Sequence, residues 1–174
     1  MELSHIPQRR DNTGKIYLRT YIFVELLNNS GAEIKIDNSG LIVKQSKTLT
    51  PIDIDCSPCP DLVPALAFVC SYISGTSYLR NLSVLRFKES DRVEEIIKVL
   101  TKFNVEFELD LKSDTLIING SNNAEKIEFT QYSPPKDHRI IMITYLFMRR
   151  NSGGKLFNFQ HVEKSFPDFF ITMS

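Results

Sequence analysis

Six ionisable or hydroxyl-bearing side chains lie within the eight residues 85–92, which read Leu-Arg-Phe-Lys-Glu-Ser-Asp-Arg. Lys88, Glu89 and Arg92 provide two cations and a carboxylate, the groups that an anion-binding site with a proton donor needs. Arg92 falls where a helix would begin, and there the macrodipole disfavours a cation by about 0.3–1 kcal/mol. The stretch therefore fits an anion-binding catalytic site at a helix N-terminus, and it also fits a solvent-exposed helix start held by salt bridges.

The residues after this stretch predict the helix that would position it. Asp91 is a candidate N-cap, and Glu94 follows at the spacing of a capping box. Four apolar side chains then recur at helical spacing: Val93, Ile96, Ile97 and Leu100. They predict an amphipathic helix over residues 91–103, with Lys88 and Glu89 on the loop that enters it.

A helix followed by a hairpin occurs twice, about seventy residues apart. Residues 18–27 form an apolar segment that predicts a helix, and residues 32–36 and 41–43 alternate like two strands around a turn. After the helix at 91–103, two further strands are predicted at residues 105–109 and 116–118, with Asn104 as a left-handed cap.

A second type of helix alternates with the first. Residues 62–73 carry an apolar stripe that predicts a helix, and residues 137–150 predict a helix that is apolar on nearly every side and should be buried. Each is followed by a predicted strand, at residues 78–82 and 155–159. The order strand, helix, strand, helix, hairpin thus recurs, which indicates an α/β (α+β) fold of tandem βαβαββ units. We expect an irregular segment at residues 1–17, then repeat units at about 18–94 and 95–174.

Composition excludes several classes of protein. The 174 residues are 42% hydrophobic and carry equal numbers of basic and acidic residues, 21 each. A chain without a net positive field is not typical of nucleic-acid binding. It has neither an apolar run of membrane-spanning length nor a signal-peptide core, so we expect a cytoplasmic protein without membrane contact.

Cys56 and Cys59 form a Cys-x-x-Cys pair, which is a weak indication of a metal or redox site. No second Cys or His pair stands at zinc-ligand spacing, and Cys70 leaves an odd count. We expect reduced thiols on a loop and no metal site.

Charged side chains lie at the N-termini of the predicted helices. Asp61, Asp91 and Asp137 each precede a helix, and Arg92 and Arg139 fall in a first turn. Repeated units should bring several helix N-termini to one face. With Lys88 and Lys164, that face could hold a polyanion. Asp61 and Glu89 would be available for proton transfer.

Four sequence blocks resemble the enolpyruvyl transferases, and within them the EPSP synthases (3-phosphoshikimate 1-carboxyvinyltransferases) of the shikimate pathway. The blocks are residues 59–64 (Cys-Pro-Asp-Leu-Val-Pro), 85–92, 137–142 (Asp-His-Arg-Ile-Ile-Met) and 164–170 (Lys-Ser-Phe-Pro-Asp-Phe-Phe). Their order and spacing agree with the C-terminal half of that family. The resemblance implies the enolpyruvyl-transferase fold, an inside-out α/β barrel.

The resemblance also implies an activity and roles for site residues. Enolpyruvyl would pass from phosphoenolpyruvate to the 5-hydroxyl of shikimate 3-phosphate, releasing phosphate without a metal or organic cofactor. Asp61 and Lys88 would lie near the 5-hydroxyl and bind shikimate 3-phosphate, and Glu89 would protonate the methylene carbon. The phosphoenolpyruvate contacts would be Arg92, Arg139 and Lys164, with Asp137 and His138 as neighbours.

One departure from the family concerns length. The chain resembles only about two and a half units of the C-terminal domain, so we expect the isolated chain to be inactive without the N-terminal domain. Two alternatives stay open: a non-catalytic anion-binding or interaction module derived from the family, and a UDP-N-acetylglucosamine enolpyruvyl transferase, whose blocks match less well.

Overall fold

The computed structural model describes residues 16–36, 40–46 and 48–173. Within these ranges the helices are α1 (Ile16–Asn29), α2 (Val63–Ser71), α3 (Arg92–Lys102), α4 (His138–Arg150) and α5 (Phe169–Met173). The strands are β1 (Glu33–Ile36), β2 (Leu41–Lys44), β3 (Asp53–Asp55), β4 (Gly75–Arg80), β5 (Glu106–Asp110), β6 (Thr115–Gly120), β7 (Thr130–Tyr132) and β8 (Gly154–Leu156). Three 3-10 turns lie at Pro60–Leu62, Ser83–Phe87 and Phe159–Val162.

The middle of the chain holds one complete βαβαββ unit, from β3 to β6. Its sheet has the order β3-β4-β6-β5, with β3 parallel to β4 and the other neighbours antiparallel. The helices α2 and α3 connect β3 to β4 and β4 to β5. This confirms the predicted α/β fold of repeated units.

Partial units flank the complete one. Before it, α1 leads into the antiparallel pair β1–β2, as α3 leads into β5–β6. After it, α4 connects the parallel pair β7–β8, as α2 connects β3–β4. The unit boundary expected near residue 94 falls inside α3.

The main core lies between the central sheet and α2, α3 and α4. Leu116 and Ile118 alternate inward from β6, as the period of a half-buried strand requires. Phe147 of α4 is fully buried and stacks on Phe103, with ring centroids 5.0 Å apart. This packing joins the C-terminal ends of α3 and α4.

The predicted helices agree with the structure, while two strands differ from expectation. The strand expected at residues 78–82 spans Gly75–Arg80, because Asn81 adopts a left-handed conformation (φ 60°) that ends it. The strand expected at 155–159 ends at Leu156, just before Asn158 (φ 57°).

The remaining expectations concern caps and the N-terminal segment. Asn104 is left-handed (φ 51°), which confirms the predicted cap. The irregular segment expected at residues 1–17 lies outside the described residues except for Ile16 and Tyr17, which are helical. None of the helices in the described ranges has the length and apolar character that a membrane crossing needs.

Candidate active site

Four short segments from distant parts of the sequence meet at one face of the core. The first 3-10 turn carries Asp61, and the loop after the second carries Lys88 and Glu89. Arg92 opens α3. Residues 137–139 form the N-cap and first turn of α4. Ion pairs and hydrogen bonds join these segments, so seven of the eight predicted site residues lie together.

Arg92 is the buried centre of this cluster, with 3% of its surface exposed. Its Nε donates to Asp137 Oδ2 at 2.7 Å, and its Nη1 donates to Asp61 Oδ1 at 3.0 Å. Charge-assisted hydrogen bonds of this kind fix the guanidinium in one orientation. The unfavourable position of a cation at a helix N-terminus is thereby offset by two carboxylates.

Asp137 is fully buried and has a structural role. It is the N-cap of α4, where its Oδ1 accepts from the Arg139 backbone N–H at 3.0 Å. Its Oδ2 also accepts from Ser90 Oγ at 3.1 Å. Asp137 therefore holds α4 and Arg92 in place and is too occupied to act on a substrate directly.

Asp61 is where three cations converge. Besides Arg92, its carboxylate lies 3.7 Å from Lys88 Nζ and 3.4 Å from Arg139 Nη2. The other terminal nitrogen of Arg139 donates to the Asp61 backbone carbonyl at 3.0 Å. Three cations thus meet at one carboxylate, and their N–H groups give this point of the site several donors for an anion.

Glu89 and His138 form a second pair beside the cluster. The His138 Nδ1 atom lies 3.1 Å from Glu89 Oε2, and the Glu89 side chain is 51% exposed while that of His138 is mostly buried. An exposed carboxyl oriented by an imidazole can reach a bound ligand and exchange a proton with it.

Lys164 is the one predicted site residue that this cluster does not include. It lies between the third 3-10 turn and α5, and its side chain is exposed. Within the part of the chain that the structure describes, Lys164 makes no ion pair or hydrogen bond.

The cluster also contains the described residues that could ligate a metal ion. One ligand atom from each of Glu89, Asp137 and His138 lies within 4.8 Å of the others. Asp137 already accepts hydrogen bonds on both oxygens, and the Arg92 guanidinium beside it repels a cation. The donor set therefore suits an anion better than a metal ion.

Sequence analysis did not assign a role to Ser90, although it lies in the same charged stretch. Its hydroxyl hydrogen bond to Asp137 spans 47 positions along the chain. Only its place within the block at residues 85–92 pointed to it, because local spacing carries no sign of so distant a partner.

Comparison with known proteins identifies relatives over nearly the whole chain. A family model described as EPSP synthase (3-phosphoshikimate 1-carboxyvinyltransferase) matches residues 11–173. A Clostridium kluyveri protein named 3-phosphoshikimate 1-carboxyvinyltransferase is 38% identical over 85% of this chain and 34% of its own length. A Syntrophobacter fumaroxidans protein of the same name is 33% identical over 86% of this chain and 34% of its own length.

Solved structures give the same fold. An EPSP synthase from Acinetobacter baumannii superposes with a TM-score of 0.72 at 26% identity, covering 84% of this chain and 36% of that one. The enolpyruvyl transferase NikO from Streptomyces tendae, at 16% identity, has a TM-score of 0.65 over 88% of this chain and 34% of that one. The chain thus spans about a third of the length of the curated relatives it matches.

Proposed function

Because the chain belongs to the EPSP synthase family, we propose that it forms the C-terminal part of a 3-phosphoshikimate 1-carboxyvinyltransferase. The reaction joins the enolpyruvyl group of phosphoenolpyruvate to the 5-hydroxyl of shikimate 3-phosphate and releases phosphate. The observation that carries this proposal is the convergence of Lys88, Arg92 and Arg139 on Asp61. Such a cluster can hold two phosphorylated substrates around one carboxylate.

We assign phosphoenolpyruvate to the arginine side of the cluster. Arginine binds carboxylate and phosphate through N–H donors in a rigid plane. Two nitrogens of Arg92, Nε and Nη2, already donate to Asp137, so its Nη1, on the Asp61 side, is the donor proposed to face the ligand. A fixed cation stabilises the phosphate as it leaves without a cost of reorganisation during the reaction. Arg139 is the second such contact, and Lys164 is proposed as the third from its match to the family block.

Glu89 is proposed as the acid that protonates the methylene carbon of phosphoenolpyruvate. Protonation there builds positive charge on the adjacent carbon, which the 5-hydroxyl then attacks. Cleavage of the C–O bond to phosphate and loss of one methyl proton back to Glu89 then regenerate the carbon–carbon double bond, which gives the enol ether product. The contact of Glu89 with His138 supports this role, because the imidazole keeps the carboxyl oriented while one face stays exposed.

Asp61 and Lys88 are proposed to lie at the hydroxyl of shikimate 3-phosphate. Asp61 Oδ1 and Lys88 Nζ are 3.7 Å apart, so the proton that the attacking hydroxyl loses could pass to the Asp61 carboxylate, or to Lys88 when its amine is neutral. Lys88 would in addition contact the 3-phosphate.

The rest of a two-domain transferase is the proposed partner of this chain. When two domains close on a substrate they expel water, and the second domain completes the site that the first leaves open to solvent. Glu89, which is half-exposed, and Lys164, which is exposed, are side chains that a second domain could cover. We therefore expect phosphate release to be undetectable with this chain alone.

The test measures phosphate release from phosphoenolpyruvate plus shikimate 3-phosphate. The chain is mixed with, or fused to, the part of the Clostridium kluyveri relative that it does not match. We expect turnover that Glu89→Gln lowers by about 10²–10⁴-fold, the usual value of a general acid. The control Glu94→Gln removes an exposed carboxylate that pairs with Lys98 on α3, and it should change the rate less than about twofold.

Three results would overturn the proposal. Turnover that Glu89→Gln leaves unchanged would remove Glu89 from the chemistry. Saturable binding of both substrates without turnover in the complemented, folded mixture would indicate instead a non-catalytic anion-binding module derived from the family. Absence of both binding and turnover in that mixture would exclude the transferase and the anion-binding module together.

A further inference from the structure

Ser90 lies within the charged stretch at residues 85–92, and the proposed chemistry gives its hydroxyl no task. The residue is partly buried, between Glu89, the proposed acid, and Asp91, the N-cap of α3. Its Oγ donates to Asp137 Oδ2 at 3.1 Å. The hydroxyl therefore joins the loop before α3 to the N-cap of α4.

The oxygen that accepts from Ser90 belongs to a fully occupied carboxylate. Asp137 Oδ2 also accepts from Arg92 Nε at 2.7 Å, while Oδ1 accepts from the Arg139 backbone N–H at 3.0 Å and from Arg92 Nη2 at 3.4 Å. A carboxylate has about four acceptor positions, so the Ser90 hydroxyl takes the last of them. Because Asp137 is fully buried, an acceptor position left empty there is unfavourable, which holds the hydroxyl in this contact.

A second contact lies beside the first. Glu89 Oε2 is 3.1 Å from His138 Nδ1. Successive residues of the loop thus contact successive residues at the start of α4, with Ser90–Asp137 as the inner contact and Glu89–His138 as the outer contact. The Glu89 side chain is half-exposed, and an exposed pair holds its side chains only weakly. The inner contact, which ends on a buried carboxylate, is the firmer of the two.

Arg92 has anchors of its own and does not depend on Ser90. Its guanidinium donates to Asp137 through two nitrogens and to Asp61 through the third. Loss of the Ser90 hydroxyl should therefore leave this proposed phosphoenolpyruvate contact in place. The group that it would release is the neighbouring side chain, Glu89.

We propose that Ser90 is a positioning residue for proton transfer. By donating to Asp137 it holds the loop so that the Glu89 carboxyl stays against His138 and directed at the ligand. This role rests on the proposed function, in which Glu89 is the acid. A displacement of about 1 Å at a reacting group can cost about 10²-fold in rate, so a distant hydroxyl that fixes the acid matters for turnover.

The kinetic test uses the chain complemented by the unmatched part of the Clostridium kluyveri relative. Ser90→Ala should lower kcat by about tenfold or more and change KM for phosphoenolpyruvate by less than about twofold, because the acid is misplaced while the arginines stay. Ser90→Thr keeps the hydroxyl and should retain about half of kcat or more. In the Glu89→Gln background, Ser90→Ala should cause no further loss, since the acid is already gone.

Ser71→Ala is the matched control for the loss of a buried hydroxyl. Ser71 is buried at the C-terminal end of α2, where its Oγ donates to the Ala67 carbonyl at 2.7 Å. This variant should leave kcat unchanged even where it lowers the urea midpoint. An equal fall in kcat with Ser71→Ala and Ser90→Ala would overturn the proposal, and so would a Ser90→Ala variant that raises KM without lowering kcat.

A second measurement needs no turnover. In the chain alone, the ring nitrogen-15 signals of His138 report its contact with Glu89, and Glu89→Gln gives their values without the carboxylate. Ser90→Ala should move the signals toward those values, and Ser90→Thr should leave them in place. Signals that Ser90→Ala leaves unchanged would overturn the positioning role, whereas the expected shift in a chain whose complemented mixture does not turn over would count against the proposed function instead.

Discussion

At the scale of single residues, the candidate site is organised by one buried arginine. Arg92 links Asp61 and Asp137, which lie 31 and 45 positions away in the sequence. Taking these charges out of water has a large desolvation cost, and the mutual hydrogen bonds offset it only while every partner is present. Orientation of the proposed anion-binding groups and local stability therefore depend on the same contacts.

This dependence predicts a double-mutant result. Arg92→Met leaves the buried Asp137 carboxylate without its main partner and should lower the free energy of unfolding by about 3–5 kcal/mol. Asp137→Asn keeps the N-cap but loses the charge. The double variant should lose less than the sum of the two single changes, because neither charge is then left unpaired. Urea unfolding of the four proteins measures the coupling.

A partly exposed ion pair provides the matched control for the effect of Arg92→Met on stability. Arg86 and Asp91 lie 3.1 Å apart with about a third of each side chain exposed. Arg86→Met should therefore cost no more than about 1 kcal/mol. An Arg92→Met variant that is as stable as Arg86→Met would contradict the role given to the buried pair.

At the scale of elements, helix starts and one glycine determine how the site is assembled. Asp91 and Asp137 cap α3 and α4 by accepting from the backbone N–H of Glu94 and Arg139. The side chain of Glu94 contacts Lys98 at 2.8 Å, so the helix carries an ion pair where a reciprocal capping box was expected. The two caps place both helix N-termini, and the cations that follow them, at one face.

Gly120 lies where the end of α2 and the residues after it approach β6 so closely that there is no room for a side chain. A Cβ added there would overlap the backbone carbonyl oxygens of Cys70 and Ile73. Because neither carbonyl can rotate away as a side chain would, Gly120→Ala should cost about 1–3 kcal/mol or more. Calorimetry should record a fall in Tm of about 2–4 °C per kcal/mol.

The neighbouring exposed position serves as the reference for this substitution. Asn122→Ala lies two residues further along, where the side chain is solvent-exposed, and should move Tm by less than about 2 °C. Equal Tm values for Gly120→Ala and Asn122→Ala would mean that α2 can shift away from β6 without loss of stability, which would contradict the prediction.

At the scale of the whole molecule, the three cysteines belong to the core. Cys56, Cys59 and Cys70 are buried free thiols. Burial raises the pKa of Cys56 and of Cys59, and it raises the pKa of Cys70 to about 11. Protonated thiols inside a core react slowly, which fits packing residues better than a redox or metal-binding pair.

These raised pKa values predict an alkaline loss of stability. In the unfolded chain the thiols ionise near pH 8.5, before the folded ones do, so the unfolded state binds fewer protons above that pH. The stabilising contribution is complete below about pH 8.5 and is lost as pH rises through the folded pKa of Cys70, about 11. Urea unfolding at pH 8 and pH 10.5 should show the decrease, and Cys70→Ala should reduce it.

Thiol labelling provides a separate check on the same cysteines. At pH 8 the native chain should react with a disulfide reagent far more slowly than the chain in urea, which should titrate three thiols. Rapid labelling of the native chain would show that the cysteines are accessible and would remove the basis of the pH prediction.

The sequence by itself determined the local structure and the family. The caps at Asp91 and Asp137 and the apolar spacing of α3 depend on residues within four positions of one another, so they are readable directly. The repeat of helix and hairpin and the four blocks of site residues likewise lie in continuous stretches. Strands β3 and β7 were missed because each has three residues with a single apolar or aromatic side chain, whereas β8, equally short, is followed by Phe157 and Phe159.

Only the tertiary structure decided which charges meet. Lys88 and Arg139 approach Asp61, and Glu89 approaches His138, through contacts that depend on how the sheet brings distant helix starts together. Lys164 belongs to the same set of sequence motifs, yet within the described chain it makes no ion pair or hydrogen bond with the cluster. Sequence spacing gives the type of a side chain and its element, whereas the distance between side chains on different elements is fixed by strand order and core packing.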